Sequence, residues 1–279
     1  MTGTLFVVAT PLGHLGDLSS RAADTLRAVP VVAAEDTRHS RKLLAHLDAH
    51  PVLVSIHQHA PASRLAQLVA RLVGGADMAL VTDAGTPAVS DPGASLVVAA
   101  RAAGVPVVPI PGPSAVAAAL SASGFPADRY LFLGFLDRKG PERRDQLAEA
   151  AASPWTVVIF EAANRLVVLL RDLAGAGNGE RGAVVAREIT KIHEEFKSGT
   201  LTDLAAYYEE HAPKGEVTVV VAGGPKREEG QGGQRMRAVE VARRLLDAGL
   251  SKRDVVKALQ ETMDLSRNDA YQIVTEPDA

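Results

Sequence analysis

Between Val81 and Gly93 the chain reads Val-Thr-Asp-Ala-Gly-Thr-Pro-Ala-Val-Ser-Asp-Pro-Gly, which crowds two carboxylates, two prolines, two glycines and several hydroxyls together. The apolar run Asp77 to Val81 leads into it and a helical pattern, Ala94 to Ala100, follows. The stretch therefore reads as a strand end, a polar loop and a helix start, the position at which open α/β sheets bind ligands. The chemistry that suits it is recognition through backbone N–H and C=O groups, which glycine lets approach a ligand closely. Three other strand ends deliver related loops. Thr10-Pro11-Leu12-Gly13 and Pro111-Gly112-Pro113-Ser114 are rich in Gly, Pro and small hydroxyls, whereas Glu35-Asp36-Thr37-Arg38 brings two carboxylates and a guanidinium. In a parallel sheet all four loops emerge on one edge and form a single rim.

Strands and helices in alternation must position that rim. Strand patterns at Thr4–Ala9, Val31–Ala34, Val52–Ile56, Asp77–Val81 and Val105–Ile110 alternate with amphipathic stretches from about Ser19, through Leu43 to Leu47, from Ser63 to Val73, from Ala94, and after Ser114. The pattern predicts an α/β fold with a parallel, helix-covered, Rossmann-like sheet over residues 1–122. A composition shift at Ser121 to Pro126 marks the expected domain boundary. Residues 123–222 read as a second α/β domain with a mixed sheet: strands at Tyr130–Leu136, Thr156–Phe160, Ala183–Arg187 and Val217–Val221, with an additional one at His193–Ser198. Residues 223–233 are nearly devoid of apolar side chains and read as a flexible linker. Residues 234–279 read as a helical module with helix-turn-helix spacing, in which Ser251 with Asp254 and Ser266 with Asp269 fit an acidic capping box. Its bases and acids nearly balance, so it carries no strong nucleic-acid signature.

Composition narrows the function. The chain has 30 Lys and Arg against 33 Asp and Glu, a net charge of −3, so any nucleic-acid binding must come from a local patch. Cysteine is absent, which excludes disulfides, thiolate metal sites and a Cys nucleophile, and fits a reducing cytosol. No window approaches the roughly 18 apolar residues of a membrane span, and the start of the chain runs directly into a strand without a basic signal region. Gly177 to Gly182 matches G-x-G-x-x-G, but a helix precedes it and a strand follows, the reverse of a dinucleotide fingerprint. His57 and His59 could share a sheet face, yet no further ligand has metal-binding spacing, so a polar, substrate-facing role is expected and no metal. The loop Arg138-Lys139-Gly140-Pro141-Glu142-Arg143-Arg144 has the positive density that suits phosphates.

Taken together, Thr10-Pro11-Leu12-Gly13, Glu35-Asp36-Thr37-Arg38, Asp83-Ala84-Gly85-Thr86-Pro87 with Asp91-Pro92-Gly93, and Pro111-Gly112-Pro113-Ser114 resemble the ribosomal RNA small subunit methyltransferase I family. That family is the RNA-modifying branch of the tetrapyrrole methylase superfamily. Gly134-Phe135-Leu136, Arg143-Arg144, Glu161 with Arg165, Ala186 to Lys191 and Lys214-Gly215-Glu216 extend the likeness over nearly the whole chain. His14, Ala60 and the Ala162-Ala163-Asn164 run depart from the residues usual in that family. The resemblance implies a cytosolic homodimer that uses S-adenosylmethionine to methylate the ribose 2′-hydroxyl of a decoding-site cytidine in 16S ribosomal RNA, within the small ribosomal subunit. It implies a cofactor cleft between the two α/β domains, held by Pro11, Leu12, Gly13, Asp83, Ala84, Gly85, Thr86, Pro111, Gly112 and Ser114 and closed by Glu161. Lys191, Glu35 and Asp36 are the candidates for base or alkoxide stabiliser, Lys191 serving as base only where burial lowers its pKa. Arg38, Arg138, Lys139, Arg143 and Arg144 are the candidates for RNA phosphates. Asp91-Pro92-Gly93 is expected to do no more than start a helix. Two alternatives stay open: a methyltransferase of the same fold acting on a tetrapyrrole or a protein side chain, and a non-enzymatic nucleic-acid-binding protein using its C-terminal helices.

Overall fold

The computed structural model describes residues 1–57, 60–177, 179–224, 231–263 and 265–275, with side chains of the long C-terminal helix described from residue 238. Five short strands, β1 (Leu5–Val8), β2 (Val31–Ala34), β3 (Val52–Ser55), β4 (Met78–Val81) and β5 (Val107–Ile110), form a sheet in the order β3-β2-β4-β1-β5. Every pairing in it is parallel. Side chains alternate across a strand, and the core divides accordingly. Val32, Ala34, Ala79 and Val81 pack under α1 (Ser20–Ala28) and α2 (Thr37–His46). Val31, Ala33, Met78 and Leu80 pack under α3 (Ala62–Val73) and α4 (Ala94–Ala102) on the opposite face. Such strands, covered on both sides, are apolar throughout. Local signals set the helix starts: Ser19 accepts a hydrogen bond from the Ala22 N–H and caps α1, and Asp36 accepts one from the Arg38 N–H and caps α2.

A second sheet follows α5 (Ala115–Ser123). It runs through β6 (Tyr130–Phe135), α6 (Pro141–Ala152), β7 (Thr156–Ala162), α7 (Leu166–Ala176), β8 (Gly182–Arg187), β9 (Glu195–Thr200), α8 (Leu201–Glu210) and β10 (Glu216–Val221). Its order is β6-β7-β10-β8-β9, with β6 and β7 parallel and the other pairs antiparallel. Helices α6, α7 and α8 cover one face through Leu147, Leu169, Leu170 and Leu204. The other face is covered by α5, whose Val116, Ala119 and Leu120 pack on Val158, Val184 and Val220. The expected boundary at 122/123 thus falls at the end of a helix that belongs by packing to the second sheet. Both sheets lie in one compact unit, Met1–Gly224. The G-x-G-x-x-G stretch connects α7 to β8, with Asn178 outside the described residues.

The second unit, Pro225–Ala279, holds α9 (Gln231–Asp247), α10 (Lys252–Met263) and α11 (Arg267–Thr275) around Ala238, Ala242, Val255, Leu259 and Ile273. Both serines cap their helices: the Asp254 N–H donates to Ser251 Oγ at 3.3 Å and the Asp269 N–H to Ser266 Oγ at 3.2 Å, while each hydroxyl donates to the carboxylate of that same aspartate. Helix α9 takes up the last three residues of the expected linker, and 225–230 lie outside the described residues. No helix of the described residues is long and apolar enough to cross a membrane.

One side chain ties the second sheet to its helices. Arg181 donates to the carbonyls of Ala150, Ala151 and Ser153 at the end of α6 and to that of Ala222 after β10. A planar guanidinium can serve such a spread of acceptors, whereas an ammonium cannot. Arg181→Met is expected to lower unfolding free energy by about 2–3 kcal/mol in a denaturant titration, with Arg181→Lys recovering only part of it.

Candidate functional site

The helices leaving β1 and β4 diverge: the first leads to β2 on one side of the pair, the second to β5 on the other. That divergence opens a crevice beyond the strand ends, and two loops are stitched together across it. The Thr10 N–H donates to Gly85 O at 2.9 Å and the Gly85 N–H returns a bond to Thr10 O at 3.0 Å. Thr10 Oγ1 donates to Thr82 O at 3.1 Å, and Thr86 Oγ1 donates to Pro113 O at 3.1 Å. The loops after β1, β4 and β5 are therefore one rigid rim.

The rim opens onto a cavity of about 490 Å³. On its first wall stand Leu12, Glu35, Asp83, Ala84, Gly85, Thr86 and Ser114, all expected there from sequence, together with Thr82, Ser90 and Asp91. The second sheet supplies the opposing wall: Phe135, Phe160, Glu161, Ile189 and the run Gly215 to Thr218. At Gly85, with φ of +86°, an L side chain would be strained, and a Cβ would press within 3.3 Å of a methyl of Leu12 and lie 3.7 Å from Pro113 O. Glu161 is fully buried; its Oε1 accepts the Ala162 N–H, while Oε2 stands 3.0 Å from Arg165 Nη2 without a hydrogen bond of proper alignment.

Other expected residues stand elsewhere. Pro11, Gly13, Pro111 and Gly112 frame the loops without lining the cavity; Gly112 packs on Ala9, and the Lys191 side chain lies over Gly13 where a Cβ would collide with it. Asp36 is the cap of α2 and pairs with the exposed Arg38, its Oδ2 2.8 Å from Arg38 Nη2. Hydrogen bonds from the Arg38 side chain and N–H hold the Asp36 carboxyl down at about 2, too weak a base for the role proposed for it. Arg143 is buried, and its guanidinium is spent on Asp172 Oδ2 (3.0 and 2.6 Å) and Asp137 O (2.9 Å), so it is a structural ion pair and not a free phosphate contact. Arg138, Lys139 and Arg144 are exposed. His57 bonds Ser55, and His59 lies outside the described residues. Among the described residues no group of three or more His, Asp or Glu is placed to hold a metal ion.

Lys191 sits between two carboxylates, with Nζ 3.0 Å from Glu188 Oε1 and 3.0 Å from Glu216 Oε2. Burial works against its charge, but the bonds to Glu188 and Glu216 outweigh it and hold the ammonium above the ordinary lysine range. Lys191 is therefore a fixed positive charge and not a base. Burial raises the Glu188 carboxyl, but hydrogen bonds from Lys191 Nζ and the Glu216 N–H overcome it and keep the carboxyl low.

Asp91 is the residue the sequence reading undervalued. Helix α4 has Gly93 as its cap, with no side-chain cap bond, so Asp91 does not serve to start it. Half-buried on the cavity wall, it is pushed up to about 6 by burial and by the nearby charges of Glu35, Asp83 and Glu216. Backbone strain gathers around the same place. Ala88 and Ser90 in one loop, and Glu188 and Thr190 in the loop after β8, hold φ of 66°, 62°, 52° and 64°, a region uncommon outside glycine and concentrated at functional sites.

Comparison with known proteins places this architecture. Residues 4–205 match the model of the tetrapyrrole (corrin/porphyrin) methylases. The chain is 42% identical over 277 residues to the ribosomal RNA small subunit methyltransferase I of Synechocystis, covering 99% of each. It is 42% identical to that of Pseudomonas aeruginosa, covering 97% of this chain and 96% of that one. Among solved structures, a cobalt precorrin-4 methyltransferase superposes with a TM-score of 0.61 at 18% identity, covering 78% of this chain and 94% of that one. A Thermus thermophilus uroporphyrin-III C-methyltransferase, solved with S-adenosylhomocysteine, gives 0.57 at 19% identity, covering 78% and 97%. At such identities the structures establish the fold alone.

The raised Asp91 carboxyl has a consequence for stability. Its folded value lies above the unfolded one, so the native state holds the proton longer and stability falls as pH rises from about 4 to about 6. Allowing for solvent screening of a half-buried group, Asp91→Asn is expected to raise unfolding free energy by about 1 kcal/mol at about pH 7.5. Thermal unfolding across pH should find that gain gone by about pH 4.

Proposed function

The chain belongs to the ribosomal RNA small subunit methyltransferase I family, within the tetrapyrrole methylases, and from that premise we propose that it methylates small-subunit ribosomal RNA with S-adenosylmethionine as donor. The finer reading is 2′-O-methylation of a decoding-site cytidine of 16S ribosomal RNA within the small subunit, by a homodimer. The observation that carries the donor assignment is the cavity itself. Glu35, Asp83, Asp91, Glu161 and Glu216 give it an acidic lining beside a backbone cradle at a strand switch point, which suits a ligand bearing cationic centres.

When bound, S-adenosylmethionine supplies an electrophilic methyl group on a sulfonium sulfur. The residues present fit it: Leu12, Ala84, Gly85, Thr86 and Ser114 would hold it on one wall, and the unaligned Oε2 of Glu161 offers an acceptor from the other. Holding donor and hydroxyl in line contributes most of the acceleration in such a displacement. A ribose hydroxyl becomes a competent nucleophile as its proton leaves. Asp91, near 6, is the carboxylate best matched to accept that proton at neutral pH, with Glu35 fixed beside it by a 2.9 Å bond from Thr82 Oγ1. Lys191 keeps its proton and offsets negative charge from behind Glu216.

The test is transfer of an isotopically labelled methyl group to small ribosomal subunits that lack the modification, mapped by mass spectrometry. Label on the ribose of one cytidine is expected. Label on a base, or transfer to a porphyrin and none to RNA, overturns the reading. Lys191→Ala is expected to lower kcat by about 10- to 100-fold with donor affinity unchanged in calorimetry; a full rate would remove Lys191 from the mechanism.

A further inference from the structure

A second cavity of about 430 Å³ lies behind the end of β7, lined by Arg138, Arg143, Ala162, Asn164, Arg165 and Val168. Its chemistry is the reverse of the first. Three arginines and an asparagine line it, and none of the residues lining it is acidic. Two of the arginines are built in. Arg143 is locked by Asp172 and Asp137 O, and Arg165 Nη2 is held by Leu136 O at 3.1 Å and stands 3.0 Å from Glu161. These pairs cancel charge for charge, which leaves Arg138 as surplus: it is exposed and has no carboxylate partner among the described residues. The Asn164 amide is exposed as well, without a protein partner among the described residues.

The two cavities share a wall. Ala162 lines both, and Glu161, which lines the first, is joined through its ion pair to Arg165, which lines the second. Adjacent residues of a strand are about 3.3 Å apart, so the openings are neighbours on the scale of one nucleotide. Planar guanidinium groups match phosphate oxygens in a bidentate manner. We infer that the cavity at Arg138, Asn164 and Arg165 is a subsite for a backbone phosphodiester of the RNA strand. It holds the phosphate flanking the reacting ribose while that ribose enters the acidic cavity across Ala162. The inference rests on the ribosomal RNA reading above. It gives a chain of net charge −3 one uncompensated guanidinium where one phosphate must be registered.

The test uses the full chain with Arg138→Ala and Asn164→Ala, both exposed positions away from the core. Arg101→Ala serves as control: it removes the same charge at the last turn of α4, on the opposite edge of the parallel sheet. KM for small subunits is expected to rise about tenfold in Arg138→Ala, and the slope of log(kcat/KM) against log salt to flatten by about 1. Asn164→Ala should raise KM with the slope unchanged, and donor affinity by calorimetry should stay at the wild-type value in all three. Wild-type kinetics in Arg138→Ala and Asn164→Ala, or an equal loss in Arg101→Ala, overturns the subsite while leaving the methyltransferase reading intact. If the wild type methylates no RNA, that reading falls, and binding of a labelled oligoribonucleotide decides the subsite. About tenfold weaker binding in Arg138→Ala supports it and unchanged binding overturns it. Inorganic phosphate that binds the wild type and not Arg138→Ala, with oligoribonucleotide binding equal in both, would assign the cavity to free phosphate and overturn the RNA subsite.

Discussion

The reciprocal pair of backbone bonds between Thr10 and Gly85 is the constraint on which the site depends. Two parallel strands need no contact beyond their ends, and loops there would ordinarily be free to splay. Here the loop after β1 is pinned to the loop after β4 across the point where the chain diverges, and Thr86 extends the bond to the loop after β5. The rim is thus fixed before any ligand arrives, which is what a reaction governed by positioning requires. Positive φ values at Ala88 and Ser90 are the local cost, carried by a loop that the sheet beneath over-determines.

Charge is sorted by the same frame. Carboxylates from both sheets converge on one cavity, and the accumulation is tolerable because Lys191 and Arg165 stand directly behind it, each paired with a carboxylate of the wall. Burial and the residual repulsion fall together on Asp91, whose carboxyl is pushed up to about 6. Basic side chains gather on the far side of Ala162. On the proposed reading, a cationic donor and an anionic strand would occupy neighbouring places in a chain whose net charge advertises neither.

Local features were legible in the sequence and long-range ones were not. Ser19, Ser251 and Ser266 read as caps because a cap needs only the next three residues. The four polar strand ends read as one rim because parallel strands must present them on one edge. Arg143 read as a phosphate contact because its partner, Asp172, lies 29 residues away on another helix. Asp91 read as a helix start because its burial and the charges of Glu35, Asp83 and Glu216 beside it arise only in the fold. Likewise α5 follows the first sheet in sequence and packs on the second, since its apolar residues carry no label saying which sheet they cover.

The pinned rim is the proposed methyl-donor site, and Gly85, at φ of +86°, exchanges both backbone bonds with Thr10 at its centre. The direct measurement is calorimetric titration of S-adenosylmethionine into the wild type and into Gly85→Val, with thermal unfolding confirming that the variant is folded. Saturable binding to the wild type and at least tenfold weaker binding to the folded variant is the expected result. Equal affinity in the two proteins would place the donor elsewhere and contradict the account.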